Sequence, residues 1–219
     1  MRYSSVIRRA AFTGAALIAM LHAARADTLH VVTSPWGSAP VAAVVGTISG
    51  EQWLVWQRLT DNSCRFTKMG GTSGLTDSWD IHGSNSDDAM FIQSGTDSRC
   101  GFTITAPVLN GFFVTMFGDG GNDTMIDFGA NNITLDGGSG NNVLETLNPS
   151  GTLLGGNGND TLFALSSGSS EFLSSGAGND CIDDANGMFT VMDCGTGFDK
   201  QVGISPAAHS CETPVSSCF

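Results

Sequence analysis

Short apolar segments alternate with glycine- and asparagine-rich turns through the second half of the chain. Two columns of apolar residues recur in register between these turns: Met125, Leu144, Leu162 and Ile182 in one, and Leu135, Leu153, Phe172 and Val191, or near neighbours, in the other. Residues that recur in this way are expected to point inward and to stack on one another. The pattern predicts two short strands and two turns in each coil of chain.

The turns themselves repeat with a nearly constant period. They begin at Gly118, Gly137, Gly155, Ser175 and Cys194, with spacings of 19, 18, 20 and 19 residues, and a weaker copy begins at Gly83. This period is too short for a helix pair or a propeller blade. It predicts an all-β fold, a parallel β-roll or β-solenoid with coils of about 18–20 residues. A low-complexity glycine, asparagine and serine linker is the alternative, although a linker has no reason to keep an apolar column in register.

One turn carries a specific resemblance. Gly155 begins the segment GGNGNDTLF, which agrees with the pattern G-G-x-G-x-D-x-U-x at every fixed position. It resembles the hemolysin-type calcium-binding nonapeptide of repeats-in-toxin proteins, and the resemblance covers about residues 118–202. The resemblance implies a parallel β-roll with calcium ions held between stacked turns. The other copies depart from the pattern at one or two positions, such as Asn142 in place of the aspartate and Ser175 in place of the first glycine.

Oxygen atoms in these turns suit calcium, which takes six to eight oxygen ligands. Glycines let several carbonyls approach one point, and stacked coils bring the aspartate of one turn beside the carbonyls of the next. The candidate metal-binding residues are Gly118, Gly120, Asp123, Gly137, Gly138, Asn142, Gly155, Asn157, Asp160, Ser175, Ala177, Asp180, Thr196 and Asp199. Alternatively, these aspartates and asparagines only cap turns.

Two further expectations concern the distribution of ions. The site between Asp160 and Asp180 should be the tightest, because both turns keep their carboxylate. The opposite row of turns, at Asn131-Asn132, Asn148-Pro149 and Asn186-Gly187, lacks the glycine and aspartate pattern and should bind no ion.

The N-terminal residues and the charge indicate export and a cationic partner. Residues 1–26 have three arginines near the start, an apolar run and an Ala-Arg-Ala end, which predict a secretory signal peptide, with a membrane anchor as the alternative. From Asp27 onward the chain has 5 basic and 21 acidic residues, a formal charge of −16. Such a charge argues against nucleic acid and anionic membranes as partners and favours calcium. The expected location is secreted or periplasmic, with no membrane span.

All six cysteines follow the signal peptide, and an even number in an exported chain predicts disulfides. Cys64 and Cys100 bracket the weak coil at Gly83, so we expect them to pair. Cys181, Cys194, Cys211 and Cys218 should then pair among themselves. A zinc site is the alternative, but the sequence has no Cys-x-x-Cys spacing.

The predicted organisation is a signal peptide (1–26), an N-terminal β cap (27–80), the repeats (81–204) and a disulfide-linked tail (205–219). The cap contains all four tryptophans and three predicted strands, at 29–32, 41–48 and 53–59. A small ligand-binding face is the alternative use of this region.

Function follows from the repeats. The expected function is that of a secreted calcium-binding β-roll with a structural or adhesive role, possible contacts being a cell surface or a polysaccharide. No common catalytic motif is present, and we expect no enzyme activity. The alternative is a small carbohydrate-active enzyme that uses the repeats as a scaffold. His82 lies near Asp80, Asp87 and Asp88 in sequence, but such a grouping is common in exported proteins.

Overall fold

The computed structural model describes residues 28–69, 77–92, 96–105, 107, 112–128, 133–147, 150–165, 172–184, 191–203 and 207–218. The predicted signal peptide lies outside these residues. The described chain consists of strands and turns and contains no helix. Consequently none of its segments is a helix that could cross a bilayer.

The described residues form twenty strands. In chain order they are β1 (Thr28–Thr33), β2 (Val41–Ile48), β3 (Glu51–Arg58), β4 (Cys64–Lys68), β5 (Asp77–His82), β6 (Ala89–Ile92), β7 (Thr96–Arg99), β8 (Phe102–Thr105), β9 (Phe112–Phe117), β10 (Thr124–Asp127), β11 (Ile133–Asp136), β12 (Val143–Thr146), β13 (Thr152–Asn157), β14 (Thr161–Ala164), β15 (Phe172–Ala177), β16 (Cys181–Asp184), β17 (Val191–Asp193), β18 (Lys200–Val202), β19 (Ala207–His209) and β20 (Thr213–Val215).

These strands form two sheets. Sheet A has the order β1-β5-β9-β11-β13-β15-β17-β19 and is parallel throughout. Sheet B has the order β20-β18-β16-β14-β12-β10-β6-β2-β3-β4, with β7 and β8 attached beside β2. From β9 to β20 the chain alternates between the two sheets at every turn, so each coil adds one parallel strand to each sheet. Parallel pairing extends back to β1 and β2, which precede residue 81.

Apolar side chains stack between the two sheets. Met125, Leu144, Leu162 and Ile182 are paired in register and fully buried, as predicted. In sheet A the buried column is Leu135, Leu153, Leu173 and Met192. Leu173 and Met192 are near neighbours of Phe172 and Val191, as the pattern allowed. Phe172 and Val191 themselves are 42% and 43% exposed, because successive residues of a strand point to opposite faces.

The three strands predicted in the N-terminal region are present as β1, β2 and β3. Strands β2, β3 and β4 pair in antiparallel fashion, and Leu54 and Trp56 of β3 belong to the same hydrophobic core as the repeats. A smaller cluster on the other face of β2 and β3 contains Val44, Val55 and Ile104.

The predicted disulfide arrangement is confirmed. Cys64 is bonded to Cys100, Cys181 to Cys218, and Cys194 to Cys211. Disulfides are typical of oxidising compartments. The bonds lie at the two ends of the stacked strands, and the coils from β9 to β14 have none.

Candidate metal centre: the row of glycine turns

The five turns that begin at Gly118, Gly137, Gly155, Ser175 and Cys194 lie directly above one another, and we call them the turn row. Isolated β-bridges join Gly120 to Ser139, Ser139 to Asn157, and Ala177 to Thr196 across it. Glycine is required where the backbones approach most closely. Gly158 has a φ of 124°, and a methyl group there would collide with the carbonyl oxygen of Gly140.

Several predicted carbonyl ligands already accept hydrogen bonds from the neighbouring turn. The carbonyl of Gly138 accepts from Asn157 N at 2.8 Å, and that of Asn157 accepts from Gly140 N at 2.8 Å. The carbonyls of Ala177 and Thr196 are bonded in the same way, to Gly158 N and Gly178 N. Backbone hydrogen bonds therefore hold the outer part of the turn row together, and each carbonyl keeps one lone pair at most for an ion.

Each aspartate of the turn row uses one carboxylate oxygen to bind the preceding turn. Asp160 Oδ1 accepts from Asn142 N at 2.7 Å, and Asp180 Oδ1 accepts from Asp160 N at 2.8 Å. The same bond recurs at Asp123, Asn142 and Asp199. The Oδ1 atom of each aspartate therefore caps a turn, which is the role that the sequence analysis gave as the alternative to calcium binding.

A second ladder of side chains lies just outside the first. Asn141 N donates to Asn122 Oδ1 at 2.8 Å, Asn159 N to Asn141 Oδ1 at 2.7 Å, and Asn179 N to Asn159 Oδ1 at 2.7 Å. These bonds point backward along the chain, from the later turn to the earlier, whereas the aspartate bonds point forward. The two ladders together satisfy backbone N–H groups where the regular strand pairing stops.

The second carboxylate oxygens are different. Asp123, Asp160, Asp180 and Asp199 are at most 1% exposed, and within the described part of the chain their Oδ2 atoms have no hydrogen-bond partner. An unpaired buried carboxylate oxygen is costly. These four atoms are therefore the orphaned groups of the turn row.

The orphaned oxygens of Asp123 and Asp160 lie at two of the positions in the row that we call turn gaps. A turn gap is bounded by the first residue of a turn, the Oδ2 of its aspartate, and the first carbonyl oxygen of the next turn. A methyl group on Gly155 would lie 2.7 Å from Asp160 Oδ2 and 2.5 Å from Ser175 O. On Gly118 it would collide with Asp123 Oδ2 and lie 2.7 Å from Gly137 O. Both gaps thus present oxygen acceptors and no donor.

Two other gaps contain a donor. Asn142 Nδ2 lies 3.3 Å from Gly155 O and 3.4 Å from Gly140 O, and it donates to both. The Ser175 hydroxyl donates to Cys194 O at 2.7 Å. Ser175 therefore lies in the turn row as predicted, but its side chain occupies the gap beside Asp180.

Electrostatics separate the two open gaps from the rest. Burial raises the pKa of Asp123 to about 8 and that of Asp160 to about 7, although each accepts a backbone hydrogen bond that acts in the opposite direction. Burial raises the pKa of Asp180, although the hydrogen bond from Asp160 N acts in the opposite direction. Burial therefore disfavours the charged form of Asp123 and Asp160, and a bound proton or metal ion would offset that charge.

Sequence reasoning missed the residues that close the row at its ends. Asp88 accepts from Val41 N at 2.7 Å and from the Ser84 hydroxyl at 3.0 Å, which satisfies the coil that begins at Gly83. Glu212 accepts from Asp199 N at 2.8 Å at the other end. The weak copy at Gly83 was the available signal for Asp88, because it aligns Asp88 with Asp123.

A groove of about 550 Å³ lies on the outer face of sheet A beside the turn row. It is lined by Phe117, Asp119, Asp136 and Leu154 and by turn residues that include Gly138 and Asn157. His82 stacks on Phe117 and its Nδ1 lies 3.1 Å from Asp119. Its partner is therefore Asp119, which the sequence grouping of His82 with Asp80, Asp87 and Asp88 did not include. Burial raises the pKa of Asp136 to about 6.

Each gap of the turn row has at most one carboxylate, and the gap at Asn142 has none. No three His, Cys, Asp or Glu side chains converge as a metal-binding group anywhere in the described ranges. An ion in a gap would therefore take most of its ligands from carbonyls. The opposite turns, at residues 131–132, 148–149 and 186–187, lie outside the described residues, so the prediction that they bind no ion stays a prediction.

Protein-family models, curated proteins and solved structures were each compared with the chain, and no match was found in any of them.

Proposed function

We propose that the chain is an exported calcium-binding protein with a parallel β-roll fold, and that the ions stabilise its stacked coils in a structural or adhesive role. The observation that carries the proposal is the pair of open gaps at Asp123 and Asp160. Each combines a buried carboxylate oxygen that lacks a donor with a carbonyl oxygen of the next turn. Hard oxygen donors of this kind are the ligands that calcium prefers.

A cation in such a gap would act as a link between consecutive coils. Asp160 supplies charge from one turn and Ser175 supplies a carbonyl from the next, so an ion bound to both resists their separation. The whole chain has a formal charge of −12, and bound cations would make the net charge less negative. Since few carboxylates contribute, we expect dissociation constants of about 10⁻⁴–10⁻³ M, the range of extracellular calcium modules.

Export is the second part of the proposal. Its support is the signal-peptide pattern of residues 1–26 together with three disulfides and no free cysteine among the described residues. Extracellular calcium is abundant enough to occupy weak sites. Location and affinity are therefore consistent with each other.

The test compares the mature chain in chelator and in millimolar calcium. Because metal binding to a site that exists only in the folded state adds to folding free energy, calcium should increase the β-sheet circular dichroism signal and slow proteolysis of the central coils. Magnesium should substitute poorly, since it requires a small octahedral shell and keeps its waters. Identical spectra and identical proteolysis patterns in chelator and calcium would leave only the turn-capping role.

The groove on sheet A supports a second candidate function, that of a carbohydrate-active enzyme. Asp136, with its raised pKa, could hold a proton near neutral pH, and Asp119 lines the same groove. A carboxylic acid beside a second carboxylate is the arrangement that glycoside hydrolysis uses. A screen of neutral polysaccharides with the wild type and Asp136→Asn tests this candidate, which requires cleavage that the substitution abolishes.

A further inference from the structure

We infer that Asn142 and Ser175 take the place of calcium ions in two gaps of the turn row. Calcium ions then bind in two non-adjacent gaps, beside Asp123 and beside Asp160, and not in every gap of the turn row. This inference rests on the proposed function, because it states which turns of the proposed calcium row hold an ion and which do not.

Asn142 shows how a gap can be closed by the protein itself. Its Oδ1 accepts from Asp123 N at 2.9 Å, the same bond that the aspartates make. Its Nδ2 then occupies the place of the orphaned Oδ2 and donates to Gly155 O. An amide nitrogen with two hydrogens carries partial positive charge and cannot ligate a cation. The gap therefore contains a donor where the neighbouring gaps need an ion.

Ser175 closes another gap from the other side. The turns at Gly118, Gly137 and Gly155 begin with glycine, which has no side chain to enter the gap. Ser175 is fully buried, and its hydroxyl donates to Cys194 O at 2.7 Å. The carbonyl that would bind an ion is thus already paired, and the hydroxyl stands beside Asp180.

The resulting alternation has an electrostatic reason. Coils of a parallel sheet are ~4.8 Å apart, so ions in every gap would place divalent charges at that distance with a single carboxylate for each. With one closed gap between them, the two open gaps are separated by ~10 Å, about one Debye length at physiological ionic strength. The two ions should therefore repel each other less than ions in adjacent gaps would.

The test counts bound ions by equilibrium dialysis with radioactive calcium at saturating concentrations. Asn142→Asp and Ser175→Gly should each bind one more ion per chain than the wild type, because each opens a closed gap. Asp123→Asn and Asp160→Asn should each bind one fewer. Asp180→Asn is the matched control: it removes a carboxylate of the same row but from a closed gap, so the number of ions should not change.

The gains in Asn142→Asp and Ser175→Gly cannot arise from misfolding, and circular dichroism in calcium checks the fold of the other variants. Loss of an ion in a folded Asp180→Asn, or an unchanged number in both gain variants, would overturn the inference while leaving calcium binding in place. A wild-type chain that binds no calcium contradicts the proposed function itself, and the inference with it.

Discussion

Replacing Asp160 by asparagine should stabilise the calcium-free protein at pH 8 and have little effect at pH 4. The chain already contains the expected local structure: Asn142 accepts one backbone hydrogen bond through Oδ1 and donates to the next turn through Nδ2. In the variant, Oδ1 would accept from Asn142 N, and the new amide would donate toward Ser175 O. The substitution would thus replace Asp160 Oδ2, a buried oxygen that has no donor, with an amide nitrogen that donates a hydrogen bond.

The size of the effect follows from the pKa of Asp160, which burial raises from 3.8 to about 7. A carboxyl whose pKa is raised by folding contributes stability that is fully present below its unfolded pKa and is lost as the pH rises through the folded value. At about 1.4 kcal/mol per unit, the loss between pH 4 and pH 8 is at most roughly 4 kcal/mol. The new hydrogen bond adds roughly 1 kcal/mol.

The measurement is urea denaturation of the wild type and Asp160→Asn in calcium-free buffer at pH 4, 6 and 8. Glu145→Gln is the control, because it removes the same charge from the outer face of sheet B. The free energy of unfolding of Asp160→Asn should exceed that of the wild type by an amount that grows with pH. An equal difference at pH 4 and pH 8, or a variant less stable than the wild type at pH 8, would refute this account of the gap.

Three further outcomes are expected. In titration calorimetry, Asp160→Ala should lower calcium affinity more than Asn142→Ala, because only the first removes a charged ligand; equal losses would contradict that ranking. Gly158→Ala should lower the melting temperature far more than Gly37→Ala. A methyl group on Gly158 would collide with the backbone of Gly140, whereas a methyl group on Gly37 would have no atom within 4 Å. Similar decreases in melting temperature would mean that the turn row can shift to accommodate the methyl group. Reduction of the disulfides in calcium should expose the C-terminal coils to protease before the central ones, and simultaneous cleavage of both would show that the ions do not hold the centre.

Much of the fold could be predicted because the apolar residues repeat with the period of the coils. Leu144 and Leu162 occupy the same position in consecutive repeats, and they are paired in neighbouring strands of sheet B. The pattern could not decide between Phe172 and its neighbour Leu173 for the core position, because an exposed aromatic beside a buried leucine gives the same local pattern shifted by one residue. A shift of one residue reverses the face of a strand.

The turn row could be predicted only in part. The pattern located Asp123 and Asp160, but it could not separate the two oxygens of one carboxylate, of which Oδ1 caps a turn and Oδ2 is orphaned. It also counted Ser175 and Asn142 among the metal-binding residues. Their donor role depends on the direction of a hydroxyl and an amide relative to the next coil, and that direction is a property of the packed structure.

The two opposed ladders of the turn row restrict how this protein can change in length. Each turn gives hydrogen bonds to one neighbour through the aspartate column and receives them through the asparagine column, so a partial insertion in a turn would break both columns at once. Insertion of a complete unit, such as a second copy of the segment from Gly155 to the residue before Ser175, would leave both columns continuous. Growth by duplication of whole coils is therefore compatible with the fold, and each added copy of that segment would bring one more open gap.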